Sequence, residues 1–453
     1  MNKTSFQYIY KHIKEKNMLA VYKGSLYLKN EKEQFYKLIP KEKEKNTVNN
    51  MINVEVRDKI VPKMIISVID KLYMDEDFKL DEKNINPKHL LNVKNGVLDL
   101  ENLQLLPKYS DKIEKYIFTY QINASYLSKD EIDEAKQENF IKFLETSLEN
   151  DIDKVDLFLS ILGYVLTDFK EARAMFFLIG STATGKSVIA TFLTELIGEE
   201  YITGLTLSNI SKQFGLNELK NSRINISTET NTAPIKDTGT LKAIISCDRM
   251  FADQKNKEGI NFRPTCKMIQ IGNHVPELKN DNDEGNAFKD RFVILKFNNT
   301  ISKEDRNLEL EDNLLLEMDF IFTMAITTFK KRVMDNNFVF PQPEESLRFI
   351  ESYFDTISDL DKVNMFINSK CEFGTSNNYR EYIDDLYNSY LKYIFDEKLK
   401  SDLTRIKFTK ILEELLVDKG VKKSRFRKDN KNQYGFIGIR LIGWIYGTWN
   451  IKD

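Results

Sequence analysis

Residues 176–196, FFLIGSTATGKSVIATFLTEL, end an apolar run in a glycine-bracketed loop and continue with helical spacing. The loop fits the phosphate-binding pattern G-x-x-x-x-G-K-[ST] without a gap. Its glycines let the backbone turn tightly, so that successive N–H groups can face phosphate oxygens. The positive N-terminal end of the following helix adds to this field. We therefore predict a nucleoside-triphosphate site, and the alternative is a surface glycine loop.

Each position of this loop has an expected part in binding ATP and Mg²⁺. Lys186 would place its charge on the β and γ phosphates, and Ser187 would offer a hydroxyl to Mg²⁺. The expected nucleotide contacts are Gly180, Ser181, Thr182, Ala183, Thr184, Gly185, Lys186, Ser187 and Val188. The loop alone does not distinguish a small-molecule kinase, a GTPase, a transporter ATPase and a DNA motor.

An acidic residue follows the next apolar strand, in SRINISTETN. A phosphate loop works with a carboxylate at the end of a neighbouring strand, which orients Mg²⁺ or polarises the attacking water. Glu229 fits this role as catalytic acid and metal ligand, although Thr228 replaces the aspartate of the usual Asp-Glu pair. The alternative is an exposed carboxylate at a strand end, and Glu195 and Glu199 are weaker rivals for the role.

Two later strands add catalytic candidates. Asn273 follows the strand at 267–271, and its amide could hold the attacking water or the γ-phosphate. Alternatively, Asn273 simply belongs to a turn with the proline that follows. Arg291 precedes the strand at 292–297, and an arginine supplied by a neighbouring subunit can stabilise transition-state charge. On its own, Arg291 also fits an ordinary surface arginine.

Two segments are candidates for contacting DNA. In the first, strands near 250 and 261 could pair as a hairpin whose tip carries Lys255 and Lys257, which could grip a phosphate backbone. The second, residues 421–440, follows two predicted helices, a pattern that suggests a winged helix on duplex DNA. Solvated polar turns are the alternative for both. The expected contacts of the second segment are Lys422, Lys423, Arg425, Arg427 and Lys428.

Composition sets the limits of this interpretation. The chain has 453 residues and a formal net charge of −2, so any contact with nucleic acid must come from a local patch. Its three cysteines and three histidines are widely spaced, which predicts reduced thiols rather than a zinc site or a disulfide framework. No run reaches the roughly 18 apolar residues of a spanning helix, so we expect a cytoplasmic protein without a membrane partner.

The periodicity predicts an α/β fold. Strands at 175–179, 202–206, 223–228, 267–271 and 292–297 alternate with helices, which favours a mostly parallel sheet. Upstream, hairpins are predicted at 18–38 and 90–107, with a helix near 60–72. The expected domains are an α+β region at 1–125, a helical collar at 126–171, the sheet core at 172–300, a helical lid or linker at 301–370 and a winged-helix-like domain at 371–453.

In order, these motifs resemble the superfamily 3 helicases, a branch of the AAA+ ATPases, and in particular the poxvirus, phage and plasmid types that are often fused to primases. The resemblance rests on GSTATGKS, ISTE, the lysine-bearing hairpin, IGNHVP and DRFVILKF, and it extends to 90–107 and 157–180. Two features depart from the family: a single arginine where two are common, and an upstream region too short for a full primase domain. A separate chain would then supply the primase.

The resemblance implies a hexameric AAA+ ring with ATP between subunits, moving 3′ to 5′ on single-stranded DNA. Glu229 would be the acid, Asn273 the sensor and Arg291 the finger that reaches the neighbour's ATP, with Lys255 and Lys257 in the pore. We expect an ATP-dependent DNA helicase that initiates replication of a phage, plasmid or integrated mobile element, with its tail on origin duplex. The alternatives are a DNA-binding ATP-dependent assembly switch without processive unwinding, and a small-molecule kinase.

Overall fold

The structure is a computed structural model in two compact units, Met1–Ile350 and Glu351–Asp453. It describes residues 5–57, 59–133, 137–210, 212, 215–228, 238–254, 257–276, 288–354, 359–376, 378–397, 401, 403–428 and 431–442.

Helices and strands occur throughout the described residues. The helices are α1 Phe6–Lys16, α2 Glu44–Asn50, α3 Val54–Arg57, α4 Pro62–Met74, α5 Glu138–Ser147, α6 Ile152–Leu166, α7 Lys186–Ile197, α8 Leu207–Ile210, α9 Gly215–Glu218, α10 Thr238–Ile245, α11 Leu310–Leu316, α12 Met318–Arg332, α13 Glu344–Phe354, α14 Asp359–Lys370, α15 Ile383–Asp396 and α16 Arg405–Leu416. The strands are β1 Leu19–Tyr22, β2 Ser25–Asn30, β3 Phe35–Leu38, β4 Leu90–Val93, β5 Gly96–Asp99, β6 Gln104–Leu106, β7 Met175–Gly180, β8 Ile202–Thr203, β9 Ile224–Ser227, β10 Met250–Gln254, β11 Lys257–Phe262, β12 Lys267–Gly272, β13 Phe292–Phe297, β14 Cys371–Phe373, β15 Arg380–Tyr382, β16 Lys422–Lys428, β17 Lys431–Ile437 and β18 Ile439–Leu441.

The N-terminal region contains two small antiparallel sheets, β1-β2-β3 and β4-β5-β6. Lys23 and Gly24 join β1 to β2 and both have positive φ, as a tight two-residue hairpin turn requires. The hairpin predicted at 18–38 is therefore present, with β3 as a third strand. The second predicted hairpin is also present, and the main chain of β6 passes close to it: a Cβ on Gly96 would lie 2.6 Å from the Leu106 carbonyl oxygen.

Helices α6 and α12 form the densest helix pair of the first unit. Residues on nearly every side of α6 are buried, as expected of a helix that is enclosed by other elements. Gly163 allows the close approach, because a Cβ there would lie 2.4 Å from the Ala325 carbonyl oxygen. Tyr164 packs edge-on against Phe340 in the same core. This core continues into the central sheet.

The central sheet has five strands in the order β13-β7-β12-β9-β8, and every neighbouring pair is parallel. The apolar runs of β7 and β12 are buried almost throughout, which is typical of parallel strands covered on both faces. All five predicted strands are present, but the strand expected at 202–206 ends at Thr203. The Asn225 side chain exchanges two hydrogen bonds with the Leu205 main chain, at 2.8 and 2.9 Å, and so replaces the strand ladder there.

The second unit packs three helices, α14 to α16, against short antiparallel strands. Phe366, Tyr390 and Phe408 form the aromatic centre of its core. The predicted order of helix, helix and basic hairpin is present: β16 and β17 pair from Lys422 opposite Ile437 to Lys428 opposite Lys431. Strand β15 adds to β17 as a third strand. The winged-helix assignment and the domain boundaries predicted from the sequence stay predictions.

Candidate nucleotide site and nucleic-acid-facing surfaces

The phosphate loop connects β7 to α7 at the carboxyl edge of the central sheet. From β7 the chain passes to β8, which is the outermost strand on one side of the sheet. It later crosses from β12 over β7 to β13, the outermost strand on the other side. Such a reversal of winding direction opens a crevice at the carboxyl ends of the strands, where open parallel sheets bind ligands. The loop predicted from the sequence therefore occupies the position in the sheet where a ligand site is expected.

Both glycines that bracket the loop are required by their surroundings. A Cβ on Gly180 would lie 2.1 Å from the Phe297 carbonyl oxygen, because β13 runs directly beside this residue. Gly185 has a φ of +86°, and a Cβ on it would lie 2.7 Å from the Ser147 hydroxyl oxygen. Helix α7 begins at the next residue, so its N-terminal end adjoins the loop. The sequence pattern thus has a local steric cause at each end.

The Lys186 side chain folds into the loop and is only 8% exposed. Its ammonium donates hydrogen bonds to the Gly180 carbonyl oxygen at 2.9 Å, to the Thr184 hydroxyl at 2.7 Å and to the Ser181 carbonyl oxygen. Burial lowers the pKa of this group. All three acceptors are uncharged, whereas a phosphate oxygen would add a direct attraction between opposite charges. A phosphate group would therefore compete effectively for this cation.

The segment after β13 holds the phosphate loop from its far side. The main-chain N–H of Ile301 donates to the Ala183 carbonyl oxygen at 2.8 Å, and the hydroxyls of Ser181 and Thr300 hydrogen-bond at 2.7 Å. Sequence reasoning missed Thr300 and Ile301, since they lie over a hundred residues from the loop and belong to no motif. The remaining loop positions include two exposed side chains, Thr182 and Ser187, and the partly buried Val188.

Strand register places Asn273 at this same edge. Gly272 is the partner of Ile179, so the next residue, Asn273, lies level with the start of the phosphate loop, and its side chain is exposed. Strand β9 also ends at this edge, because Ser227 is the partner of Gln270 in β12. Glu229 lies outside the described residues, so its role as acid and metal ligand stays a prediction.

Arg291 lies at the opposite edge of the sheet. Its carbonyl oxygen accepts a hydrogen bond from Met175 N–H at 2.8 Å, at the start of β7, whereas the phosphate loop follows the end of β7. The six residues of β13 separate it from that loop, which is roughly 20 Å at 3.3 Å per residue. The structure thus does not bring Arg291 into the nucleotide site of its own chain.

The predicted hairpin between β9 and β12 is present as β10 and β11. Met250 is the partner of Phe262, and the ladder closes with Gln254 opposite Lys257. Lys255 lies outside the described residues, and only the main chain of Lys257 is described. Sequence reasoning missed Phe251, whose side chain is 56% exposed and whose ring covers Gly259 of the paired strand. Exposed aromatic rings of this kind can stack on unpaired bases.

The β16–β17 hairpin carries a basic surface with an aromatic ring. Arg425 and Arg427 alternate with buried Phe426, so the two guanidinium groups share one exposed face. Tyr434 is the strand partner of Arg425, and its ring centre lies 5.7 Å from that guanidinium. Phe426 stacks on Tyr382 at 5.2 Å and anchors the opposite face.

The three predicted lysines of this hairpin differ in their surroundings. Lys423 pairs with Glu413, so part of its charge is already neutralised. Lys422 is exposed on the opposite face, and only the main chain of Lys428 is described. We define the wing surface as Arg425, Arg427 and Tyr434, which are exposed on one face of the hairpin. Among the described residues, no helix is both long enough and apolar enough to cross a membrane.

Two protein families match separate parts of the chain. Residues 5–149 match the family described as "D5 N terminal like", and residues 178–291 match one described as "Family of unknown function (DUF5906)". A protein of Acanthamoeba polyphaga mimivirus, named "putative helicase", is 25% identical over 256 residues, which are 53% of this chain and 26% of that protein. A protein of African swine fever virus, named "putative primase", is 24% identical over 224 residues, which are 47% of this chain and 22% of that protein.

The matched region thus spans about a quarter of the length of these viral relatives. Together, the family matches and the relatives support a relationship to the primase–helicase proteins of phages and viruses. Among solved structures, the apo C-terminal region of NrS-1 aligns with a TM-score of 0.49 and 13% identity, covering 97% of this chain and 100% of that one.

Proposed function

We propose that this chain is an ATP-dependent DNA helicase that initiates replication of a phage, plasmid or integrated mobile element. The observation that carries the proposal is the buried Lys186 ammonium inside a phosphate loop, at the winding reversal of a parallel sheet. The relatives named as helicase and primase link such a nucleotide site to DNA replication. In this proposal the sheet region, 172–300, is an AAA+ core of the superfamily 3 type.

ATP and Mg²⁺ are the proposed cofactors. Lys186 exchanges its neutral acceptors for β- and γ-phosphate oxygens, and the exposed Ser187 hydroxyl binds Mg²⁺. Main-chain N–H groups from Gly180 to Val188 surround the phosphates. Asn273, level with the loop, orients the attacking water, and Glu229 completes the metal and water site.

Assembly of subunits into a ring is consistent with the proposed role of Arg291, and the resemblance to superfamily 3 helicases implies a hexamer. This residue lies at the opposite sheet edge from its own phosphate loop, so it can serve only a nucleotide held by another subunit. An arginine supplied in trans stabilises the charge that develops on the transferred phosphoryl group. A ring closes such head-to-tail contacts without leaving an unpaired end.

Two surfaces are proposed to bind DNA. The β10–β11 hairpin, with Lys255 and Lys257 at its tip and Phe251 on its side, contacts the single strand in the ring. The wing surface contacts duplex at the origin through phosphates, as part of a winged-helix-like domain at 371–453. The opened strands would then serve as templates for a primase and for host replication proteins.

A DNA-binding ATP-dependent assembly switch is the second candidate. The wing surface favours it, because this surface lies in a compact unit of its own and can hold duplex without translocation. In that case ATP controls subunit assembly on the origin, and no processive unwinding follows.

The test is steady-state ATP hydrolysis with and without single-stranded DNA. We expect DNA to stimulate the wild-type chain, and Lys186→Ala to lose hydrolysis with and without DNA. Lys94→Ala, at an exposed turn between β4 and β5, is the matched control and should behave as the wild type. Hydrolysis that is indifferent to DNA would contradict a motor and leave a switch or a small-molecule kinase.

A further inference from the structure

A second cavity of about 360 Å³ lies in the first unit, at the amino edge of the central sheet. The β1–β2 turn forms one wall, through Tyr22 and Lys23. Asp168, Arg223 and Thr265, which precede β7, β9 and β12, also line the cavity. Because the phosphate loop follows the carboxyl ends of the strands, this cavity is separate from the proposed ATP site. Its volume falls in the range of pockets that hold small organic ligands, roughly 300–1,000 Å³.

Three of the lining residues, Tyr120, Asp168 and Arg223, form a polar cluster. Arg223 donates to Asp168 at 3.0 Å, and the Tyr120 hydroxyl donates to the other carboxylate oxygen at 2.7 Å. The guanidinium also stacks on the Tyr120 ring at 3.3 Å. These contacts hold the Asp168 carboxylate and the Arg223 guanidinium together as an ion pair. This polar cluster therefore contributes a rigid surface whose net charge is close to zero.

The rim of the cavity has an excess of positive charge. Lys88 forms an ion pair with Glu171, but in the described part of the chain the ammonium groups of Lys23 and Lys170 form none. Burial lowers the pKa of Lys23 to about 8, and the nearby charge of Lys170 adds to the shift. An anion that contacts both lysines would relieve this repulsion and replace lost hydration.

The wall formed by the β1–β2 turn also contains groups suited to binding an aromatic nucleobase. The Tyr22 ring lines the cavity beside Lys23, whose ammonium lies 5.4 Å from the ring centre, and Tyr27 packs behind it at 6.0 Å. Asn221 also lines the cavity, and its side-chain amide donates a hydrogen bond to the Ser25 hydroxyl at 2.6 Å. Within the described residues, the cavity thus combines the ring face of Tyr22 with two cations that form no ion pair.

We propose that this cavity binds a nucleoside phosphate, with the phosphate on Lys23 and Lys170 and the base against Tyr22. The cavity is larger than inorganic phosphate requires. The remaining volume, which Tyr22 lines, would hold the nucleobase. The ligand is a free nucleotide or the terminal nucleotide of a DNA strand, which share this chemistry. The site does not depend on ATP hydrolysis at Lys186.

Equilibrium dialysis tests this site in the full-length Lys186→Ala chain, which weakens binding at the phosphate loop. The probes are radiolabelled dAMP, inorganic phosphate and a 5′-phosphorylated oligothymidylate. We expect one equivalent of dAMP or of the oligonucleotide to bind per chain, more tightly than inorganic phosphate. This binding should depend on Lys23. Binding of the oligonucleotide without dAMP identifies a strand end as the source, and binding of dAMP without the oligonucleotide identifies a free nucleotide. Binding of both shows that the site accepts either one.

Three further substitutions make the outcome decisive. Lys23→Asn removes the charge but suits the left-handed turn conformation at this position, where φ is 48°. We expect it, and Lys170→Gln, to weaken binding at least tenfold, whereas Lys94→Gln leaves binding unchanged. Binding that is absent from the Lys186→Ala chain, or that is insensitive to both lysine substitutions, would overturn the proposal.

Discussion

Lys186 and Lys23 are two lysines whose surroundings disfavour their charge, and each is a candidate phosphate ligand. Lys186 is held by three neutral oxygen atoms inside its loop, and burial lowers its pKa. Lys23 lies in a tight turn near a second lysine. In both proposals an anionic ligand would bring negative charge close to the ammonium group.

The pH dependence of binding follows from the pKa of Lys23. Its value of about 8 lies below the usual lysine value of 10.5 because of burial and Lys170, with a further lowering from Arg223 and opposing effects from Asp168 and Glu82. The ammonium is therefore charged below pH 8 and loses its proton as the pH rises through that value. We expect dAMP affinity of the Lys186→Ala chain to fall above about pH 8.

Dialysis at pH 6.5, 7.5, 8.5 and 9.5 measures this effect. Lys23→Asn should bind weakly over the whole range and show a flatter profile. An affinity that stays constant from pH 6.5 to 9.5 in the Lys186→Ala chain would show that Lys23 does not contact the phosphate.

At the scale of elements, hairpins carry the surfaces proposed to contact DNA. The β16–β17 hairpin exposes two arginines and a tyrosine on one face while Phe426 anchors the other. The β10–β11 hairpin exposes Phe251 over a glycine. In each hairpin, strand alternation separates an anchoring face from a contacting face.

Salt dependence of duplex binding tests the wing surface. Each phosphate that is neutralised by a cation contributes about −0.9 to the slope of log K against log salt concentration on B-DNA. We expect the double substitution of Arg425→Ala and Arg427→Ala to make the slope shallower by about 1.8. Fluorescence anisotropy with a labelled duplex at several salt concentrations measures it.

The matched control for this experiment is Lys370→Ala, an exposed cation at the end of α14 in the same unit. It should leave the slope unchanged. If the double arginine variant keeps the wild-type slope, these two guanidinium groups do not contact phosphates, and duplex binding must come from another surface.

Local pattern predicted most elements of this fold. Strand β7 is a continuous apolar run, and the phosphate loop follows from glycine and lysine spacing, so neither needs long-range information. The early end of β8 was unpredictable because it depends on a side chain of the neighbouring strand, Asn225. The clamp from Thr300 and Ile301 was missed for the same reason: it joins segments that only the sheet order brings together.

At the scale of the whole molecule, the two edges of the central sheet have different proposed roles. The carboxyl edge carries the phosphate loop and Asn273, whereas the amino edge carries Arg291 and the second cavity. A single chain therefore cannot complete the catalytic set that we propose. Activity should depend on contact between subunits, with the carboxyl edge of one facing Arg291 of the next.

Subunit mixing tests this dependence. We expect the Lys186→Ala and Arg291→Ala chains each to lose ATP hydrolysis when assayed alone. In an equimolar mixture, about a quarter of ring interfaces would combine an intact Lys186 with an intact Arg291 from the neighbour. Hydrolysis should therefore partly recover on mixing. No recovery, under conditions where the two chains co-assemble, would contradict a role for Arg291 in trans.

The most direct measurement is strand displacement from a forked DNA duplex, with ATP and Mg²⁺ present. We expect ATP-dependent release of the labelled strand by the wild-type chain and by Lys94→Ala, and no release by Lys186→Ala. DNA-stimulated ATP hydrolysis without strand release, at chain concentrations that saturate the fork, would contradict the helicase proposal and favour the assembly switch.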